Sequence, residues 1–204
     1  TRVFGWKGGI GTSSRILPES LGGFTIGVLV QSNFGGILTI SGAPVGRELG
    51  RYSFQQAIEA GGADIGADAG TSIPLGGGDP AWRDADDGQG SIMMVVATDA
   101  PLSSLKLERL AKRAIMGLAR TGSFAGNGSG DYVIAFSTAA GVRRPLGEEW
   151  DESVEVPNSG LSALFEGTVE ATEEAIYNSL LKATTVSGVG RTANAIDIAA
   201  VTRV

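Results

Sequence analysis

The sequence predicts one layered domain of mixed class, α/β or α+β. In the second half of the chain, apolar segments of strand length alternate with longer segments whose apolar residues recur at helical spacing. Hydrophobic residues make up 42% of the 204 residues and charged residues 19%, a balance that favours a buried core over disorder. We therefore expect residues 1–204 to form a single domain.

The first half of the chain predicts two strands, a short helix and a loop. Residues 24–31 (FTIGVLVQ) and 37–40 (ILTI) are apolar and β-branched, which is typical of strands. Residues 49–60 predict a short helix. Residues 61–90 hold nine glycines and six aspartates against one arginine and lack periodicity, so we expect a mobile acidic loop there.

The second half predicts two strands and two long helices. Residues 92–98 (IMMVVAT) are continuously apolar, as expected of a strand buried on both faces. Asp99 is the expected N-cap of a helix that ends near Arg120, with Gly122 just beyond its last turn. A second strand is expected over 132–138 and a second helix over about 159–183, whereas the tail from 188 onwards carries no clear pattern.

Composition excludes several function classes. The chain has no cysteine and no histidine, which excludes disulfides, thiolate nucleophiles, a Ser-His-Asp triad and imidazole metal sites built from this chain. A net charge of −6 without a basic run argues against nucleic acid as a partner. Apolar runs are too short to cross a bilayer, and no nucleotide-binding or metal-ligand spacing is present. We therefore expect no membrane insertion, no nucleotide cofactor and no metal site.

A serine nucleophile would need an unusual base in this chain. Without histidine, the remaining group that titrates near neutral pH is a chain-terminal α-amine, with a pKa of about 7.7–8.0. A serine exposed at a new N-terminus combines nucleophile and base in one residue. Gly90–Ser91 fits this chemistry, because it lies between the loop and a core strand and glycine tolerates strained backbone angles. On its own, the same dipeptide is more often an ordinary junction between a loop and a strand.

Several motifs occur in order between about residues 5 and 187. They are residues 7–15 (KGGIGTSSR), 27–35 (GVLVQSNFG), 91–102 (SIMMVVATDAPL), 109–111, 117–122, 128–131 (GSGD) and 135–138. Together they resemble the DmpA/BapA family of self-processing L-aminopeptidase/D-esterases and β-peptidyl aminopeptidases.

The resemblance implies a role for each candidate site residue. The precursor would cleave itself between Gly90 and Ser91, whose hydroxyl becomes the nucleophile and whose freed amine becomes the base. Asn33 matches the asparagine of the oxyanion hole. Ser129 and Asp131 match the pair that positions and tunes the nucleophile. Without the resemblance, Asn33, Ser129 and Asp131 would be interpreted as turn-capping residues.

The resemblance also implies an architecture. The family fold is a four-layer α/β/β/α sandwich like that of N-terminal-nucleophile hydrolases, here incomplete. Residues 1–90 would be the end of a large subunit, including the acidic linker at about 61–90, and residues 91–204 the small subunit. Family precursors are longer before the motif that begins at Lys7, so a preceding segment or a companion chain is an expected partner. A homo-oligomer of processed heterodimers is expected, in the cytoplasm or alternatively the periplasm.

The expected function is hydrolysis of N-terminal residues from short peptides, amides or esters through an acyl-enzyme at Ser91. Two alternatives stay open. An acyltransferase of the ornithine acetyltransferase type shares the self-cleaving logic, although those proteins use threonine where serine stands here. A non-catalytic, unprocessed or truncated scaffold would keep the sequence without the activity.

Overall fold

The computed structural model describes residues 1–55, 58, 90–143, 147, 154–188 and 190–204. Apart from Gly90, the predicted loop over 61–90 lies outside the described residues. No helix within these ranges is both long and apolar enough to span a membrane. The strands are β1 (Arg2–Val3), β2 (Trp6–Lys7), β3 (Ile10–Ile16), β4 (Thr25–Asn33), β5 (Ser91–Thr98), β6 (Gly130–Ser137), β7 (Val186–Gly188) and β8 (Arg191–Ala193). The helices are α1 (Val45–Glu48), α2 (Ser104–Arg120), α3 (Leu161–Leu181) and α4 (Ile198–Val201).

A four-stranded sheet organises the described chain, with the strand order β3-β4-β5-β6. β3 and β5 both pair antiparallel with β4, whereas β5 and β6 are parallel. Parallel neighbours need a crossover, and α2 supplies it. Two short hairpins, β1-β2 and β7-β8, lie outside this sheet.

The core lies between one face of the sheet and the long helices α2 and α3. Both helices bury the apolar positions that their 3.6-residue period places on one side. The two predicted long helices and three of the predicted strands are therefore confirmed, with ends shifted by a few residues. The largest fully buried side chains include Ile26, Ile92, Met94, Leu110, Leu118, Leu161, Leu164, Ile176 and Leu180.

The opposite face of the sheet is open and largely apolar. Along β5 the side chains alternate, so Ile92, Met94 and Val96 are buried while Met93 is 44% exposed. The prediction that this strand is buried on both faces is therefore wrong for the described chain, because only one face carries a helical layer. The exposed apolar residues of this open face are Ile10, Ile16, Leu29, Met93, Tyr132, Ile134 and Phe136.

Three further predictions need correction. Residues 37–40 form no strand, since Ile37 and Thr39 donate their backbone N–H groups to Gly122 and Thr121 after α2 instead of to a strand. The helix over 49–60 is wrong for its first part, because Gly50 has a φ of +61° and ends α1. Only Gln55 and Ile58 are helical there, and residues 56–57 and 59–60 lie outside the described residues.

The start of α2 also differs from the sequence prediction. Its N-cap is Ser103, not Asp99. The Asp99 carboxylate instead accepts a hydrogen bond of 2.8 Å from the backbone N–H of Thr25, at the start of β4. The sequence prediction also missed β3, because Gly11 is disfavoured in strands and the polar run at residues 12–15 (TSSR) lacks the apolar alternation that marks a strand.

Helix α3 packs against β3 so closely that their backbones are in contact at Gly11. A Cβ atom on Gly11 would stand 1.9 Å from the carbonyl oxygen of Ala175 and 2.5 Å from the amide nitrogen of Ser179. On the neighbouring strand β4, the Ser32 hydroxyl lies 2.6 Å from the Ser179 hydroxyl of α3, inside the core. Glycine at position 11 therefore fixes how closely α3 approaches the sheet.

We predict that Gly11→Ala lowers the free energy of unfolding by about 1–3 kcal/mol, the usual cost of overpacking. Gly188→Ala is the matched control, because its Cβ would meet no atom within 4 Å, and it should change stability by less than about 0.5 kcal/mol. Denaturant unfolding measures both. Equal stabilities for the two variants would contradict this packing.

Candidate active site

The sheet register brings the candidates Ser91 and Asn33 into one row with Gly130. Ser91 is the first residue of β5, and it pairs with Asn33 at the end of β4 and with Gly130 at the start of β6. Residues directly opposite each other in a sheet point to the same face. Ser91 and Asn33 therefore share the open face, where Asn33 is exposed and Ser91 is half-buried.

The Ser91 hydroxyl lies against the peptide bond that precedes it. Its Oγ donates to the carbonyl oxygen of Gly90 at 2.7 Å. The backbone N–H of Gly130 approaches both oxygen atoms, at 3.3 Å from Ser91 Oγ and 3.2 Å from Gly90 O. One donor thus faces the hydroxyl and the carbonyl next to it.

Gly90 holds this junction in a conformation that a side chain would disturb. Its φ is +134°, in the region that favours glycine. A Cβ there would stand 2.0 Å from the carbonyl oxygen of Asn33 and 2.8 Å from the Cα of Phe34. Both the angle and the space therefore require glycine before Ser91.

The Asn33 carboxamide is anchored at its oxygen end. Its Oδ1 accepts a hydrogen bond of 3.1 Å from the backbone N–H of Arg2. A backbone N–H can only donate, so the carboxamide must turn its oxygen towards Arg2. Within the described ranges, Asn33 Nδ2 donates to no protein group, which leaves a polarised donor on the face that carries Ser91.

Ser129 and Asp131 form a separate pair. Ser129 Oγ donates to Asp131 Oδ1 at 2.8 Å, across the first residue of β6. Asp131 is opposite the buried Ile92 in the ladder, so it belongs to the helix-facing side of the sheet. Among the described residues, neither side chain hydrogen-bonds to Ser91. The structure brings Gly90, Ser91 and Asn33 together and leaves the tuning role of Ser129 and Asp131 a prediction.

The sequence analysis missed two groups of the site, the N–H of Arg2 and that of Gly130. Both act through the backbone, so their side-chain identities carry no signal. Identifying the N–H of Gly130 as part of the site required the strand register, which places Gly130 beside Ser91. In the described part of the chain, no three or more acidic side chains gather in a way that could hold a metal ion.

Comparison with known proteins gives consistent likenesses. The model of peptidase family S58 matches residues 1–193. A beta-peptidyl aminopeptidase BapA of Sphingosinicella microcystinivorans is 42% identical over 191 residues, which cover 92% of this chain and 44% of that protein. A Burkholderia sp. beta-aminopeptidase structure is similar with a TM-score of 0.72 and 32% identity, covering 98% of this chain and 49% of that one.

A third likeness concerns the fold. The structure of an L-aminopeptidase D-Ala-esterase/amidase from Ochrobactrum anthropi, described as a new variant among the Ntn hydrolase fold, has a TM-score of 0.73 and 34% identity. The match covers 100% of this chain and 50% of that one. The chain therefore spans about half the length of the relatives it matches. The predicted fold class, a layered α/β domain of the kind found in N-terminal-nucleophile hydrolases, is confirmed.

Proposed function

The chain belongs to peptidase family S58, and we propose that it is the Ser91-bearing part of a self-processing serine aminopeptidase. Membership confirms the resemblance to DmpA/BapA proteins. The observation that carries the proposal is the Ser91 hydroxyl, hydrogen-bonded to the carbonyl of the glycine before it at the start of a core strand. The substrates proposed are short peptides, amides or esters with a free amino terminus.

The first step is self-cleavage. Ser91 Oγ attacks the carbonyl carbon of Gly90, the bond to the Ser91 nitrogen breaks, and the hydroxyl proton passes to that nitrogen. The product is an ester between Gly90 and Ser91 Oγ, which water hydrolyses to a Gly90 carboxylate and a free Ser91 hydroxyl and amine. The N–H of Gly130, 3.2 Å from the Gly90 oxygen, supports the developing negative charge.

The second step is turnover on substrate. The freed α-amine of Ser91 takes the proton of its own hydroxyl, which attacks the substrate carbonyl and expels the leaving amine or alcohol. The donor on Asn33 stabilises the tetrahedral oxyanion. Water then releases the acyl group from Ser91. This base suits a chain without histidine, since an α-amine titrates near 7.7–8.0.

The open face of the sheet supports a structural partner. Seven large apolar residues are exposed there, and a contiguous apolar face of that kind normally packs against another layer. We include in the proposal that a preceding segment or a companion chain covers this face as a second sheet and completes the substrate pocket. Processed heterodimers of this kind would then assemble into a homo-oligomer.

Replacing the nucleophile tests the catalytic assignment. In the complete gene product, Ser91→Ala should abolish both the chain break before residue 91 and the hydrolysis of amino-acid p-nitroanilides, because no other group supplies the attacking oxygen. Electrophoresis and absorbance at the nitroaniline band measure the two effects. Ser13→Ala, on the helix-facing side of β3, is the control and should retain both. Undiminished hydrolysis by Ser91→Ala would contradict the proposal.

Gly90→Ala tests the junction geometry. The added Cβ cannot fit beside Asn33 O, so self-cleavage should slow by at least about tenfold, equivalent to about 1.4 kcal/mol in the barrier. Gly188→Ala again serves as the control. The measurement is the fraction of cleaved chain against time after expression is stopped. Cleavage at the normal rate would show that the strained glycine is not required.

A charge on the open face tests the missing layer. Ile134→Glu would bury a carboxylate under any covering sheet, so the complete protein should lose thermal stability and assembled mass in size-exclusion chromatography. Val154→Glu, at a residue that is 89% exposed outside the sheet, should behave as wild type. If Ile134→Glu assembles normally, this face is not covered.

A further inference from the structure

The usefulness of Asn33 to the proposed reaction depends on which end of its carboxamide faces the substrate. The Oδ1 end would repel an oxyanion, whereas the Nδ2 end would donate to it. The terminal torsion of asparagine is soft, so the side chain alone does not choose between these orientations. A neighbouring group must therefore fix the orientation of the carboxamide, and only a group that is always a donor or always an acceptor can do so.

The backbone N–H of Arg2 has that polarity and is in contact. It lies 3.1 Å from Asn33 Oδ1 and reaches it from 31 residues away in sequence. Because this N–H cannot accept a hydrogen bond, a carboxamide turned by 180° would place two N–H donors against each other. The contact therefore favours the orientation that leaves Nδ2 free for the substrate.

Arg2 is held in place by its surroundings. It pairs with Lys7 in the β1-β2 hairpin, and the residues that follow it, Val3 and Phe4, are 0% and 1% exposed. The backbone N–H of Phe4 donates to Phe34 O at 2.9 Å, one residue beyond Asn33. The hairpin is thus fixed to the end of β4 by core packing and by a backbone bond next to the site.

The side chain of Arg2 points to a different region. Among the described residues, its guanidinium hydrogen-bonds to the carbonyl oxygen of Thr192 alone, at 3.5 Å on the surface. The contact with Asn33 therefore belongs to the backbone alone. Any residue with an N–H could supply it, and proline could not.

We propose that the backbone N–H of residue 2 is a positioning group for catalysis, which orients the Asn33 carboxamide as an oxyanion donor. This inference rests on the proposed function of the Ser91 site. Loss of an oxyanion-hole donor typically costs about 10²–10³ in kcat. Losing only the group that orients the donor should cost a part of that.

The test uses the complete gene product with Arg2→Pro, Arg2→Ala, Asn33→Ala and the double variant Arg2→Pro/Asn33→Ala. Arg2→Ala keeps the N–H and should match the wild-type kcat within about twofold. Arg2→Pro should lower kcat by about tenfold or more with KM changed by less than about threefold, because ground-state binding is untouched. In the Asn33→Ala background the proline should have no further effect, since its only target is gone.

A second measurement does not depend on activity. The side-chain amide pair of Asn33, identified in a ¹⁵N-correlation spectrum by its loss in Asn33→Ala, should shift in Arg2→Pro and stay in place in Arg2→Ala. If proline prevents folding, an α-hydroxy acid incorporated at position 2 removes the same hydrogen without restricting φ, and the same two results are expected.

The results separate the two proposals. A normal kcat and an unmoved Asn33 signal in Arg2→Pro would overturn the positioning role, whatever Ser91 does. So would an equal loss of kcat from the proline with and without Asn33. Hydrolysis that survives Ser91→Ala would overturn the proposed function, while the Asn33 signal would still report whether residue 2 holds the carboxamide.

Discussion

The site depends on the register of three strands at one end of the sheet. β5 begins at Ser91 between the end of β4 and the start of β6, and the ladder places Asn33 and Gly130 beside it. The antiparallel neighbour β4 brings the Asn33 side chain next to Ser91, and the parallel neighbour β6 brings the backbone N–H of Gly130. A slip of one residue would move Ser91 to the helix-facing side and separate it from Asn33. The packing that fixes the register is therefore also what builds the site.

That register is held from the helix side of the sheet. Ile92, Met94 and Val96 fill the core below β5, and α3 approaches β3 so closely that Gly11 admits no side chain. The Tyr177 hydroxyl on α3 lies 2.9 Å from Thr39 O and 2.9 Å from Glu173 Oε1 and shares its single hydrogen between them, which ties the helix to the chain just beyond β4. Burial raises the pKa of the Tyr177 hydroxyl well above its usual value, so this group stays a donor throughout the working pH range.

Much of the fold could be predicted because strong local patterns determine it. The continuous apolar run of β5 indicates a strand, and the apolar residues of α2 and α3 recur at helical spacing. Gly122 marks the end of α2, where its φ is +95°. Residues 37–40 were wrongly predicted as a strand, because the backbone N–H groups of Ile37 and Thr39 bond to the loop after α2, a tertiary contact that strand propensity does not record. β3 was missed because Gly11 is there for contact with α3, against local preference.

The site was predictable only in part. The chemistry of a chain without histidine made Gly90–Ser91 a candidate, and the family resemblance supplied the roles of Ser91, Asn33, Ser129 and Asp131. The N–H groups of Arg2 and Gly130 required the structure, because a backbone donor has no sequence signature. Ser129 and Asp131 bond to each other and not to Ser91, so their influence on the nucleophile remains a prediction.

The central claim is that Ser91 becomes both a chain terminus and an acyl carrier. Intact mass spectrometry of the wild-type protein, denatured during turnover of a slow ester substrate, tests both parts at once. The account predicts a species that begins at Ser91 and carries one added acyl group. A single uncleaved chain that gains no acyl mass would contradict it.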